Sequence, residues 1–287
     1  MPVRELHPSA PPRPLAAHPP RIVTDLPHPQ AGSTIRDFNY QTALEQARRS
    51  ARTAMRFFLA AGLDARDGAG PARFRIYRPG ERTSESTSSS PSPWLDGSRL
   101  IRLDFHRGIS DAFRLDIVAH EYAHGVVERF ITSRSAEANA LNEALADVFA
   151  VAIEDRDESV DGRLLMTGDA FWSLAQVARA RIGSQDNHGE HLMMGIATRP
   201  AAYVLRSCNR SIMARIYLDA MTRYMTRMPH SFAGFAAATL LAAAARFGTS
   251  SPAYRSLRAG WNSTGLSQTE IARRLPPRAA ELIRSLP

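Results

Sequence analysis

The run Ile117-Val118-Ala119-His120-Glu121-Tyr122-Ala123-His124-Gly125-Val126-Val127 constrains this chain more than any other stretch of it. It is apolar with a helical period, yet it carries two imidazoles and a carboxylate. Residues four apart on a helix share a face, so His120 and His124 can direct their rings at one metal ion. Glu121 follows the first ring. Its carboxylate can flank the open coordination position and take a proton from water there without being a ligand itself. The pattern points to zinc hydrolase chemistry, and it needs a third ligand from elsewhere in the chain.

A second apolar, helical stretch supplies the candidate: Leu141-Asn142-Glu143-Ala144-Leu145-Ala146-Asp147-Val148-Phe149-Ala150. It follows a polar turn, Thr132 to Asn139, and so can fold back antiparallel to the first. Glu143 then completes a set of two histidines and one glutamate, leaving the fourth position to water. Asp147 lies one turn further along the same face, placed to accept a hydrogen bond from the free ring nitrogen of a ligating histidine and so fix its tautomer. Asn142, beside the third ligand, is the other candidate support.

With these residues in hand, the chain resembles the thermolysin-like (M4-type) zinc metallopeptidases. The resemblance rests on Val118 to Val126, on Leu141 to Asp147, and on a third segment, Gln185-Asp186-Asn187-His188-Gly189-Glu190-His191, followed by Gly195-Ile196 and Ala201-Ala202-Tyr203. It runs from about Phe38 to Leu266. It implies an α+β fold: a reduced N-terminal β-containing subdomain, a mainly α-helical C-terminal subdomain, and the active-site helix between them. The implied divisions are an arm over 1–35, an N-terminal α/β subdomain over 36–130 ending in the His-Glu-x-x-His helix, a helical subdomain over 131–266, and an extra helix over 267–287. The resemblance further implies an endopeptidase acting on peptide or protein substrates through Zn2+ held by His120, His124 and Glu143. Glu121 would be its general base, His191 its transition-state histidine, and Asp186 the carboxylate that orients His191. Asp116 and Glu154 match positions that ligate calcium in that family. Asp155, Asp157, Glu158 and Asp161 crowd the following loop, which reads either as a Ca2+ site of hard carboxylates or as a solvated acidic loop.

The chain also departs from the family. Where the family pairs an edge strand with the substrate backbone, this sequence has Pro91-Ser92-Pro93-Trp94, and two prolines remove donors from that edge. Thr132 to Ala136 contains no tyrosine where the family has one, and Trp172 falls where the family has a substrate-gripping arginine. The metal and acid–base parts survive while several substrate contacts do not. A non-catalytic, metallopeptidase-like binding protein is therefore the alternative expectation.

Composition sets the frame. The 287 residues are 44% hydrophobic, enough for a sizeable core, and the formal charge is +8. Every basic side chain is arginine. These arginines are scattered and none interleaves with an aromatic stripe, which argues against a nucleic-acid partner. Cys208 is the sole cysteine, so no intramolecular disulfide forms. Residues 1–30 are Pro-rich with no long apolar run, which suggests an extended arm or a short pro-segment rather than a secretory signal or a membrane span. The expected location is cytoplasmic by default, or outside the cell by a non-classical route. Tyr40 to Phe58 predicts a packing helix stopped by Gly62, while Arg73 to Arg78 and Ile101 to His106 alternate as strands. Beyond His191, helices are predicted over 195–206, 212–225, 232–247 and 252–261. Ser267-Gln268-Thr269-Glu270 reads as a capping box opening one last helix.

Overall fold

The computed structural model describes residues 39–70, 72–76, 100–103, 105–106, 109–154, 173–179 and 186–287. The Pro-rich arm, Tyr77-Arg78, the edge segment Pro91 to Trp94, the acidic run 155–161 and Trp172 lie outside the described residues. Helix α1 spans Tyr40–Ala60, with Asn39 accepting from the Thr42 N–H at its start. Its Ala43, Leu44, Ala47, Ala51, Ala54 and Phe58 form the buried face, as the helical spacing predicts. Gly62 follows it at φ 88°, a left-handed conformation that suits glycine.

Strand β1 (Arg73–Ile76) runs parallel to β2 (Leu100–Leu103), pairing Phe74 with Ile101 and Ile76 with Leu103. All four of these side chains are buried. The alternation that predicts one strand from Ile101 to His106 is shared between two pairings. Phe105–His106 forms β3, antiparallel to β4 (Ile109–Ser110). Alternation reports which face is apolar, but it does not encode which neighbour supplies the hydrogen bonds.

Two helices come next, α2 (Leu115–Val127) and α3 (Ala136–Ile153). Ser135 caps α3 by accepting from the Ala138 N–H, so this helix begins inside the stretch expected to be a turn. Phe58 of α1 wedges them together: its ring stacks on Tyr122 of α2 at 6.1 Å and meets Phe149 of α3 edge-on at 5.3 Å. A second clamp on α2 is backbone against backbone. Gly68 sits at φ +89°, and a Cβ there would lie 2.1 Å from the Gly125 carbonyl oxygen, next to His124. Any side chain at position 68 must therefore displace the helix that carries both candidate imidazoles.

The rest is helical: α4 (Leu174–Arg179), α5 (Asp186–Met193), α6 (Gly195–Ser207), α7 (Arg210–Asp219), α8 (Phe232–Phe247) and α9 (Pro252–Ser263). The helix expected over 212–225 does not stay α-helical. It widens to a π-turn at Ala220–Tyr224, where the Thr222 hydroxyl bonds back to the Leu218 carbonyl, and tightens to a 3-10 turn at Met225–Arg227. The core of this half joins Tyr217, Phe235 and Trp261 edge-to-face, with the Trp261 indole N–H donating to Thr239 Oγ1 at 2.9 Å. Past 266 there are two short helices instead of the one expected, α10 (Gln268–Arg273) and α11 (Pro277–Arg284). Ser267 caps α10 by accepting from the Glu270 N–H, while the Glu270 carboxylate accepts from Arg273 and Arg274, and Pro276-Pro277 breaks the helix and restarts it. The architecture is α+β with a small β part and a helical C-terminal half. No helix among the described residues is long and apolar enough to cross a membrane.

Candidate metal centre

Helix α2 is buried nearly all round, and His120 and His124 are 5% and 6% exposed within it. Two buried imidazoles in an apolar helix demand partners, and α3 provides them. His120 Nδ1 lies 2.8 Å from Asp147 Oδ1, and His124 Nδ1 lies 3.1 Å from Asn142 Oδ1. As the numbering rises along α2 it falls along α3, so the helices run antiparallel in the register the sequence suggests.

These partners fix the protons. A carboxylate and an amide oxygen can only accept, so both Nδ1 atoms donate and both Nε2 atoms of the neutral rings present lone pairs. The two Nε2 atoms are 3.0 Å apart. Glu143 Oε2 is 3.3 Å from His120 Nε2 and 3.5 Å from His124 Nε2, and it is buried while accepting no hydrogen bond. Three electron-rich atoms thus converge with nothing between them, an arrangement that is repulsive unless a cation is shared among them. Around tetrahedral zinc, with bonds of about 2.0–2.1 Å, neighbouring donors stand roughly 3.3 Å apart. The donor set fits that ion.

The charges in the cluster act on one another. Burial pushes the Glu143 carboxyl up, but the imidazoles of His124, His120 and His191 outweigh it and hold the group well below the carboxylate range. Burial pushes His120 down, but the Asp147 carboxylate bonded to it and the Glu143 carboxylate beside it hold it well above an ordinary imidazole. Without metal, the cluster holds a proton where a cation fits. Zinc must displace that proton, so its affinity falls as pH falls.

Asp147 is 2% exposed and fixes the His120 ring through its carboxylate. Asp147→Asn keeps the shape and removes the charge. Zinc affinity is expected to fall about 10–100-fold, read by competition with a chromophoric chelator; an unchanged affinity would show that this bond does not tune the ligand.

The remaining residues sort as follows. Glu121 is half-buried on α2, with a carboxylate oxygen that groups with one nitrogen of each histidine within 4.8 Å. His191, on α5, has Nε2 3.5 Å from Glu143 Oε2 and a side chain 42% exposed, so it stands on the outer side of the cluster. Asp186 is the first residue of the same helix. Sequence reasoning passed over Glu190. This half-buried carboxylate joins Glu143 and His191 in a second group of donors within 4.8 Å. Its one signal in the sequence is adjacency to His191.

Asp116 and Glu154 do not join either group. Arg114 grips the Asp116 carboxylate with two hydrogen bonds, and the Arg210 guanidinium donates to the Glu154 carbonyl at 2.5 Å. The other candidate calcium ligands, within 155–161, lie outside the described residues. The segment where a tyrosine is missing is tied down instead: the Thr132 and Ser133 N–H groups both donate to His230 Nδ1 at 3.2 Å.

Comparison with known proteins bears on the same regions. Residues 134–266 match the thermolysin metallopeptidase alpha-helical domain. Bacillolysin of Brevibacillus brevis is 34% identical over 178 residues, covering 53% of this chain and 33% of that protein. Thermolysin of Alicyclobacillus acidocaldarius is 28% identical over 200 residues, covering 60% of this chain and 35% of that protein. The chain spans about a third of the length of these relatives. Among solved structures, the precursor of protealysin, a metalloproteinase from Serratia proteamaculans, superposes with a TM-score of 0.60 at 20% identity, covering 85% of this chain and 84% of that one.

Proposed function

We propose, from the premise that residues 134–266 belong to the thermolysin-like (M4-type) metallopeptidase family, that the chain is a zinc-dependent endopeptidase with Glu121 as its general base. The observation that carries this reading is the convergence of His120 Nε2, His124 Nε2 and the unpartnered Glu143 Oε2 within 3.0–3.5 Å. When bound there, zinc supplies Lewis-acid polarisation of the scissile carbonyl and lowers the pKa of water toward about 7.

The chain's own residues do the rest. Glu121 brings a carboxylate oxygen within 4.8 Å of one nitrogen of each ring and would not be needed as a ligand, since Glu143 would fill that role. Its carboxylate takes a proton from water as the water oxygen bonds to the carbonyl carbon. It returns that proton to the amine as the C–N bond breaks. His191, on the open side, donates a hydrogen bond to the oxygen on which negative charge develops. By the family resemblance, Asp186 is the carboxylate that would orient His191. Asp147 and Asn142 hold the two ligating rings in the tautomer that leaves Nε2 free.

The substrate is a peptide or protein held by fewer side-chain contacts than the family employs, because the tyrosine and arginine positions are changed. The test is cleavage of casein and of a peptide library by the full chain. Cleavage is expected to stop on zinc chelation and to return when Zn2+ is restored. Cleavage that survives chelation, or none with zinc bound, would overturn the proposal. The second result would leave a metal-binding protein without peptidase activity.

A further inference from the structure

Helices α3 and α8 begin against the same side chain. Glu137 lies in the first turn of α3, and its Oε2 accepts from the Phe232 N–H, the first of α8, at 2.8 Å. One carboxylate thus serves the positive dipole ends of two helices, and it satisfies an amide that α8 leaves without an internal partner.

A second cross-link runs the opposite way. Two residues before Phe232, His230 Nδ1 accepts from the Thr132 and Ser133 N–H groups, both at 3.2 Å, in the turn that joins α2 to α3. An accepting ring nitrogen carries no proton, so the neutral ring keeps its proton on Nε2. The anchor itself is stiff. The Ser231 N–H donates to the Pro229 carbonyl at 2.8 Å, the Ser231 hydroxyl accepts from the Gly234 N–H at 3.1 Å, and a Cβ at Gly234 would lie 1.9 Å from that same carbonyl oxygen. The start of α8 therefore grips the α2–α3 hairpin twice, once on its turn and once on the first turn of α3.

We propose that His230 is a positioning residue for the metal centre: with Glu137 it interlocks the start of α8 with the α2–α3 hairpin and fixes where α3 lies along α2. This rests on the zinc reading of that centre. Both imidazoles ride on α2, while Asn142, Glu143 and Asp147 ride on α3. Metal–ligand distances hold within about 0.2 Å, so the two helices cannot slide past one another without loosening the ligand set. Glu143 follows Glu137 on the same helix by roughly 9 Å, at 1.5 Å per residue, and a close-packed helix carries a displacement over that length.

The experiment is titration of the full chain with Zn2+ against a chromophoric chelator, with the fold read by circular dichroism and by thermal unfolding of the metal-free protein. His230→Ala is expected to weaken zinc binding about 2–10-fold, the worth of a neutral hydrogen bond. His230→Asn is expected to restore it, because the asparagine Oδ1 stands as many bonds from Cα as Nδ1 does and accepts both amides. Glu137→Ala removes the other cross-link, is expected to weaken zinc binding too, and gives the reading where His230→Ala does not fold. Ser251→Ala is the control. It removes the cap of α9, lowers the Tm, and is expected to leave zinc affinity unchanged. Wild-type zinc affinity in His230→Ala or Glu137→Ala, an unrescued His230→Asn, or the same loss in Ser251→Ala overturns the interlock and leaves the metal centre standing. A wild type that binds no zinc overturns both.

Discussion

Glu121→Gln yields a folded protein that retains zinc and cleaves peptides about 10²–10⁴-fold more slowly than the wild type. The amide keeps the volume and the hydrogen-bonding edge of the carboxylate but cannot accept a proton. Zinc stays because the inner set is complete without residue 121: both imidazoles and Glu143 lie within 3.0–3.5 Å of one another. The informative comparison is zinc content against kcat/KM. A variant that loses activity and zinc together would make Glu121 a ligand, and one that keeps both would remove it from the mechanism.

Glu143→Ala has the larger effect on the metal. It deletes the third ligand and leaves two imidazoles whose Nε2 lone pairs face each other at 3.0 Å. Zinc affinity is expected to fall by more than the roughly 10–100-fold cost of losing an outer hydrogen-bond partner, and activity falls with it. The metal-free protein changes too. The Glu143 carboxyl is held below its ordinary range, so its contribution to stability is in place above the ordinary carboxylate range and is lost as pH falls through the lowered value. Alanine removes that contribution at neutral pH. Isothermal titration with Zn2+ and thermal unfolding of the metal-free variant read the two effects separately. Wild-type zinc affinity in Glu143→Ala would exclude this residue from the ligand set.

The parts of the site that lie along single helices were legible before any coordinates. His120 and His124 share a face because they are four apart, and Glu143 and Asp147 share another for the same reason. The antiparallel register of α2 and α3 follows from a polar turn too short to allow much else. Glu190 was not legible, because the side chain before His191 comes within 4.8 Å of Glu143 only once α5 packs against α3. The strand pairings were hidden in the same way: alternation marked Phe74, Ile76, Ile101 and Leu103 as core, but it said nothing of a parallel register or of the switch to β3 and β4. Asp116 and Glu154 were singled out by resemblance alone, and the arginines that meet them, Arg114 and Arg210, come from a neighbouring turn and from a distant helix.

Zinc-edge anomalous scattering from crystals of the wild-type chain grown with one equivalent of Zn2+ is the most direct measurement. The expected result is one peak bonded to His120 Nε2, His124 Nε2 and a Glu143 oxygen at about 2.0–2.2 Å, with its remaining position facing His191. A peak coordinated elsewhere, or an ordered site with Glu143 turned away from the two imidazoles, would contradict it.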